Sequence, residues 1–177
     1  MDLQNSSSEV RSAIECRAAG ADEYPAAAQL RADMALEMGS DFDGAAADWR
    51  TKFAAYFGGK QAVGGAQLFL AYDGEAPIGC AIISILDHYR RYVFGTEVGF
   101  INAVYVHPDY RRRGVANRLM RLAIAWARER GCRSVRLRSS DEGRFLYEQL
   151  GFREGREMEL DLGAADAGST HRSVPGH

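Results

Sequence analysis

The residues best suited to chemistry lie together at 104–117. An apolar run, Val104-Tyr105-Val106, meets a turn, His107-Pro108-Asp109-Tyr110, and then Arg111-Arg112-Arg113-Gly114-Val115-Ala116-Asn117. The run predicts a strand, and the segment after the turn predicts a helix that starts among the arginines. A helix N-terminus carries N–H groups without intrahelical partners and the positive end of the helix dipole, so it attracts phosphate. Gly114 and the small Ala116 would let a pyrophosphate come close to the backbone, and three consecutive arginines add positive charge at the mouth. On its residues alone the segment is either a phosphate-binding loop or a capped core helix with a solvated basic turn. A second candidate is Tyr147, on a short helix predicted to stop at Gly151. A phenol has an ordinary pKa near ~10, is protonated at neutral pH and can serve as an acid. Three residues before Leu150, it can equally be a packing side chain.

These groups need elements to hold them. Residues 14–18 suggest a short strand. Asp22 is placed to cap a helix with Pro25 in its first turn, and Leu30, Met34 and Met38 share a face until Gly39 ends it. A second helix is expected over about 45–57, where Trp49, Phe53 and Phe57 recur every four residues and Gly58-Gly59 act as a stop. Strands are expected at 67–72 and 78–86, joined by the turn signal Asp73-Gly74, and 98–106 predicts another long strand. Over 113–130, Val115, Leu119, Leu122, Ala123 and Trp126 form an apolar helical stripe opposite the arginines, and Gly131 is placed as its C-terminal cap. Residues 134–138 suggest a strand and 143–150 a short helix, and Met158, Leu160 and Leu162 alternate with acids as a last strand. The aromatic segment 88–94 reads as a loop over a pocket or as part of a dimer contact. Strands and helices interleave with hairpins in the middle, which predicts one mixed α/β domain over 11–162 between polar tails at 1–10 and 163–177.

Composition narrows the function classes. A chain of 177 residues suits one domain, and 46% apolar with 26% charged residues suits a soluble globular fold. A formal net charge of −2 argues against a nucleic-acid partner or an anionic membrane surface, despite the arginine cluster. No apolar run approaches the ~20 residues of a membrane span, and Met1 to Glu9 lacks the order of a signal peptide. The three cysteines form no CxxC pair and the four histidines are scattered, so no metal site is expected and a reducing cytoplasm is. Neither G-x-x-x-x-G-K-[ST] nor G-x-G-x-x-G occurs, and Gly58-Gly59-Lys60 lacks the frame of the former.

Arg111-x-x-Gly114-x-Ala116, placed after the apolar strand, resembles the R/Q-x-x-G-x-G/A signature of the GNAT superfamily of N-acetyltransferases. Downstream, Phe145-Leu146-Tyr147-Glu148-Gln149-Leu150-Gly151-Phe152 is similar to that family's LYExLGF-type helix and turn. The resemblance is clear over about 97–162. It implies an α/β (α+β type) domain: a mixed, mostly antiparallel sheet flanked by helices and splayed at the central strand to admit acyl-CoA. It implies transfer of an acetyl group from acetyl-CoA, or another short acyl-CoA, to a primary amine of a small molecule or peptide by direct attack, without a metal. It allows a homodimer. In such a protein the N–H groups of Arg112 to Asn117 hold the CoA pyrophosphate, with Arg111, Arg112 and Arg113 at the mouth of the loop. The backbone of Val104 and Val106 pairs with the pantetheine arm, and an N–H near Val104 or Tyr105 is the oxyanion donor. Tyr147 matches the tyrosine that protonates the departing thiolate.

Two positions depart from that pattern. Ser140 stands where family members often have a CoA-contacting asparagine; serine can still hydrogen-bond, with shorter reach. The carboxylate that many members place on the central strand falls at Phe100 or Asn102, neither of which takes a proton. The base is then a water held by Asn102 or a carboxylate such as Glu97, which can equally be an ordinary strand-end charge. The first two helices and their connection wall the acceptor pocket in this architecture, which nominates Met34, Glu37 and Phe42, with Asp41, Asp43 and Tyr56 near them; Glu37 and the two aspartates can equally be charges that cap and solubilise helix ends. Against catalysis stands a non-catalytic reading, an acyl-CoA-binding module or sensor with the same fold. The acceptor stays open among antibiotic amines, amino acids, polyamines and protein termini, because loops without a readable code choose it.

Overall fold

A computed structural model describes residues 13–40 and 47–155, apart from the side chains of residues 90 and 91. The expected last strand at 158–162, Phe42 with Asp41 and Asp43, and both predicted tails lie outside the described residues. The elements run β1 (Glu15–Ala18), α1 (Tyr24–Glu37), α2 (Trp49–Ala62), β2 (Ala66–Asp73), β3 (Ala76–Ile85), α3 (Tyr89–Phe94), β4 (Glu97–Val106), α4 (Val115–Glu129), β5 (Cys132–Leu137) and α5 (Arg144–Gln149). The strands form one sheet in the order β1-β2-β3-β4-β5, antiparallel except for the parallel pair β4–β5. This is the mixed, mostly antiparallel sheet that the family resemblance implies. No described helix is long and apolar enough to cross a membrane.

Alternation along the strands divides the core into two layers. Leu68, Leu70, Cys80, Ile82, Ala103 and Tyr105 face α1 and α2, where Ala27, Leu30 and Phe57 meet them. Phe69, Ala71, Ala81, Ile83, Ile101 and Val106 face α4, against Val115, Leu119, Met120 and Ala123. Val115, Leu119 and Ala123 come from the predicted stripe, Met120 joins them, and Leu122 and Trp126 are only partly buried; this apolar side anchors the arginine loop to the sheet.

Several local expectations are corrected. The first helix is not capped by Asp22: a 3-10 turn, Ala21–Glu23, precedes it, and the Glu23 carboxylate accepts the Gly20 N–H at 2.9 Å. The second helix does not stop at Gly58-Gly59 but runs to Ala62. A Cβ on Gly58 would lie 3.3 Å from the Tyr24 ring, so the glycine serves close helix packing, and the chain turns at Gly64 with φ +69°. The helix after the arginine loop begins at Val115, not Arg113, because Gly114 is left-handed at φ +75°. The aromatic segment 88–94 is not a loop throughout: it holds the short helix α3, which exposes Tyr89, Tyr92, Val93 and Phe94.

Candidate active site

β4 is irregular where the site lies. Ile82 pairs with Ala103 but Ile83 pairs with Ile101, so Asn102 is an extra residue, a β-bulge, on a strand whose partner β3 stays regular. Alternation would place Ile101 and Ala103 on one face; the bulge sends Ile101 toward α4 and Ala103 toward α1. The same offset re-aims the backbone. The Leu86 N–H donates to the Val98 C=O and the His107 N–H to the Ile78 C=O, both at 2.8 Å, which fixes the polar groups that point at β3. By alternation Ala103 and Tyr105 also point at β3, and Val104 and Val106 point to the opposite side.

On that opposite side β5 is no longer there. Pairing of β4 with β5 ends at Ile101–Leu137, so among the described residues 102–106 continue with a neighbour on one edge only. The sheet is splayed at this point, and an extended ligand can pair with the Val104 amide and the Val106 N–H. The Val106 C=O already accepts the Arg111 Nε–H at 3.0 Å. The Tyr105 N–H is directed at β3, which leaves Val104 as the strand donor facing the gap.

Beyond β4 the chain turns through Pro108–Tyr110, with the Asp109 N–H donating to His107 Nδ1 at 3.4 Å. Arg112 at φ +61° and Gly114 at φ +75° are both left-handed. Backbone that alternates in hand turns successive N–H groups to one side and forms an anion-binding concavity. The first turn of α4 adds the N–H groups of Val115, Ala116 and Asn117, which precede the first intrahelical bond, from the Arg118 N–H to the Gly114 C=O at 3.1 Å. Gly114 has no side chain to cap them. The Asn117 side chain is turned aside, its Oδ1 accepting from Arg121 Nε at 2.7 Å. A pyrophosphate fits this donor set.

The three arginines have different surroundings. Arg111 reaches back, its Nη2 within 2.6 Å of both carboxylate oxygens of Glu37. Arg113 lies over the Tyr110 ring, 5.1 Å from its centroid. Arg112 is exposed on the left-handed turn.

Tyr147 packs, on α5, against the same apolar cluster as Val104, Val106 and Val115. Gly143 makes room for it: a Cβ there would lie 2.8 Å from the Tyr147 ring. Burial pushes the phenol above its ordinary value, with no charge or hydrogen bond contributing. Ser140 is close by, and its Oγ accepts the Gly143 N–H at 3.2 Å, which leaves the hydroxyl hydrogen available.

Asn102 is fixed in orientation. Its Nδ2 donates to Ser84 Oγ at 2.9 Å and to the Phe100 C=O at 3.1 Å. A carbonyl can only accept, so the nitrogen must face Phe100, both amide hydrogens are engaged, and the exposed residue presents Oδ1 as an acceptor. Glu97 is not brought to this place. It starts β4, opposite Cys132, roughly 20 Å along the strand from Val104 at ~3.3 Å per residue. Met34 packs on the α1-side core and Glu37 is paired with Arg111. Burial pushes the Cys80 thiol up to about 12 and raises Cys16 and Cys132, which disfavours their thiolate forms.

Ser84, Tyr110 and Asp73 support the site without any local signal of that role in the sequence. Their partners stand 18 and 37 residues away, and no short pattern encodes such pairs. The bulge left a trace only in the polar Asn102 within an apolar run.

Comparison with known proteins decides the family. The Acetyltransferase (GNAT) family profile matches residues 32–152. The chain belongs to the GNAT family. Among curated GNAT relatives, a glucosamine 6-phosphate N-acetyltransferase of Trypanosoma brucei brucei is 38% identical over 86 residues, 48% of this chain and 57% of that protein. An aminoglycoside N(6')-acetyltransferase type 1 of Klebsiella aerogenes is 38% identical over 91 residues, 51% of this chain and 59% of that one. The chain thus spans under two thirds of the length of these relatives. In structure it is similar to a predicted acetyltransferase from Clostridium acetobutylicum solved with acetyl-CoA (TM-score 0.74, 24% identity), over 85% of this chain and 97% of that chain. It is also similar to a GCN5-related N-acetyltransferase from Ralstonia eutropha (TM-score 0.71, 26% identity), over 85% and 99%.

Proposed function

We propose that this GNAT protein transfers an acetyl group from acetyl-CoA to a primary amine of a small molecule by direct attack. The observation that carries this reading is the convergence of two structures at the C-terminal end of β4: a loop at 111–117 whose N–H groups suit an anion, and a strand edge at 102–106 that no described strand covers. A pyrophosphate joined to an extended, amide-bearing arm matches both. The two curated relatives act on glucosamine 6-phosphate and aminoglycosides, which supports a small-molecule acceptor.

In this reading the Val104 N–H stabilises the oxyanion that develops on the thioester carbonyl. Tyr147, kept protonated by its burial, donates its proton to the leaving thiolate. Asn102 takes no proton; its Oδ1 accepts from the attacking amine, or from a water beside it, and so aims the nucleophile. With no carboxylate at the bulge, the amine enters neutral or loses its proton to solvent. Release of CoA thiol across an amine panel tests the assignment, with Tyr147→Phe expected to slow turnover while leaving acetyl-CoA binding intact.

One observation favours a second reading. An amide at the bulge serves a protein that binds acyl-CoA without turning it over, and binding with no thiol release from any amine would establish that role.

A further inference from the structure

The donor loop is braced on two sides by residues outside it. On one side Arg111 holds the Val106 C=O through Nε and the Glu37 carboxylate through Nη2, joining the loop to the end of α1 across 74 positions of sequence. On the other, the Tyr110 hydroxyl donates to Asp73 Oδ2 at 2.9 Å, joining the loop to the β2–β3 hairpin, and the Tyr110 ring underlies the Arg113 guanidinium. Immediately after these anchors come the left-handed residues Arg112 and Gly114, and a non-glycine residue such as Arg112 resists that conformation unless its surroundings hold it.

Glu37 therefore has a different task from the acceptor contact that its place on α1 suggests. Its carboxylate is held by Arg111 at 2.6 Å, which offsets the charge a cationic amine would meet. Arg111 in turn spends its Nε and Nη2 on the protein, on a carbonyl and a carboxylate, rather than on phosphate. We propose that Glu37 and Asp73 are positioning residues for the acyl donor: through Arg111 and Tyr110 they hold 111–117 in the form that receives the CoA pyrophosphate. This rests on the acyl-CoA reading of the site and adds that donor affinity is set in part from α1 and from a hairpin turn. A preset loop binds more tightly because less ordering is left for the ligand to drive.

Calorimetry with acetyl-CoA alone tests this without any acceptor. Glu37→Gln and Asp73→Ala should each weaken binding about fivefold, the upper range for a part-exposed ion pair and a usual size for a hydrogen bond, with thermal melting close to wild type. Glu37→Asp should recover part of the loss. In an Arg111→Gln background, Glu37→Gln should have no further effect, because Glu37 acts through Arg111. Once an acceptor is known, the KM for acetyl-CoA should rise while kcat holds. Wild-type affinity in both single variants, or an undiminished Glu37→Gln effect without Arg111, would overturn the proposal while leaving the acyl-CoA site in place. Failure of the wild type to bind acetyl-CoA would instead overturn the reading beneath it.

Discussion

At the site, burial adjusts the chemistry of Tyr147. A half-buried phenol resists ionisation, so its pKa lies above the ordinary tyrosine value. For catalysis the acid form is the active one, and a raised pKa extends its range upward. Activity that depends on this group should persist beyond pH ~10 before falling. Tyr147→Phe should lower kcat by about 10²–10⁴ and remove that alkaline limb, with the melting temperature nearly unchanged; a pH–rate profile for both proteins checks it. Asn102→Asp would put a proton acceptor at the bulge. It should add an acidic limb to the profile of kcat/KM, whereas Asn102→Ala should lower kcat by losing the aiming contact. Tyr147 was legible in the sequence because it sits within a continuous helix-and-turn motif. The orientation of Asn102 was not, since the Ser84 hydroxyl that fixes it comes from the neighbouring strand.

At the scale of elements, α1 is fastened to the sheet by a charged clamp. Glu23 accepts from both outer nitrogens of Arg17 at 2.7 Å and from the Tyr72 hydroxyl at 2.6 Å. These hydrogen bonds, Arg17 first, lower the Glu23 carboxyl to about 2, and burial followed by the Glu23 contact pushes Tyr72 up to about 12. A lowered carboxylate stabilises the fold above its unfolded pKa near ~4.3 and loses that contribution as pH falls toward the folded value. A raised phenol stabilises the fold below its unfolded pKa near ~10 and loses that contribution as pH climbs toward the folded value. The clamp is therefore whole between about pH 5 and 10, and Glu23→Gln should lower the melting temperature within that window and flatten its decline between pH 5 and 2. Thermal melts of the two proteins across pH decide it. The periodic elements, α4 above all, were legible because each buries one apolar stripe. The helix stop expected at Gly58-Gly59 failed for a non-local reason: the Tyr24 ring packs onto that glycine from another helix.

The whole molecule places donor chemistry where a sheet comes apart. Up to Ile101 β4 is an ordinary inner strand; past the bulge it keeps β3, loses β5 and meets the loop whose N–H groups open α4. The glycine of that loop was legible as a motif, and its left-handed backbone is why the position tolerates little else. The braces at Glu37 and Asp73 were invisible to sequence reading because each joins segments that meet only in the folded chain. Calorimetric titration of acetyl-CoA into the wild type and into Gly114→Glu probes this arrangement most directly. A side chain at that φ is strained by roughly 1–2 kcal/mol, and a carboxylate would face the pyrophosphate. Micromolar binding by the wild type and at least a tenfold loss in a folded variant are expected. A folded wild type that does not bind acetyl-CoA, or a variant that binds it equally well, would contradict the placement of the donor at the end of β4.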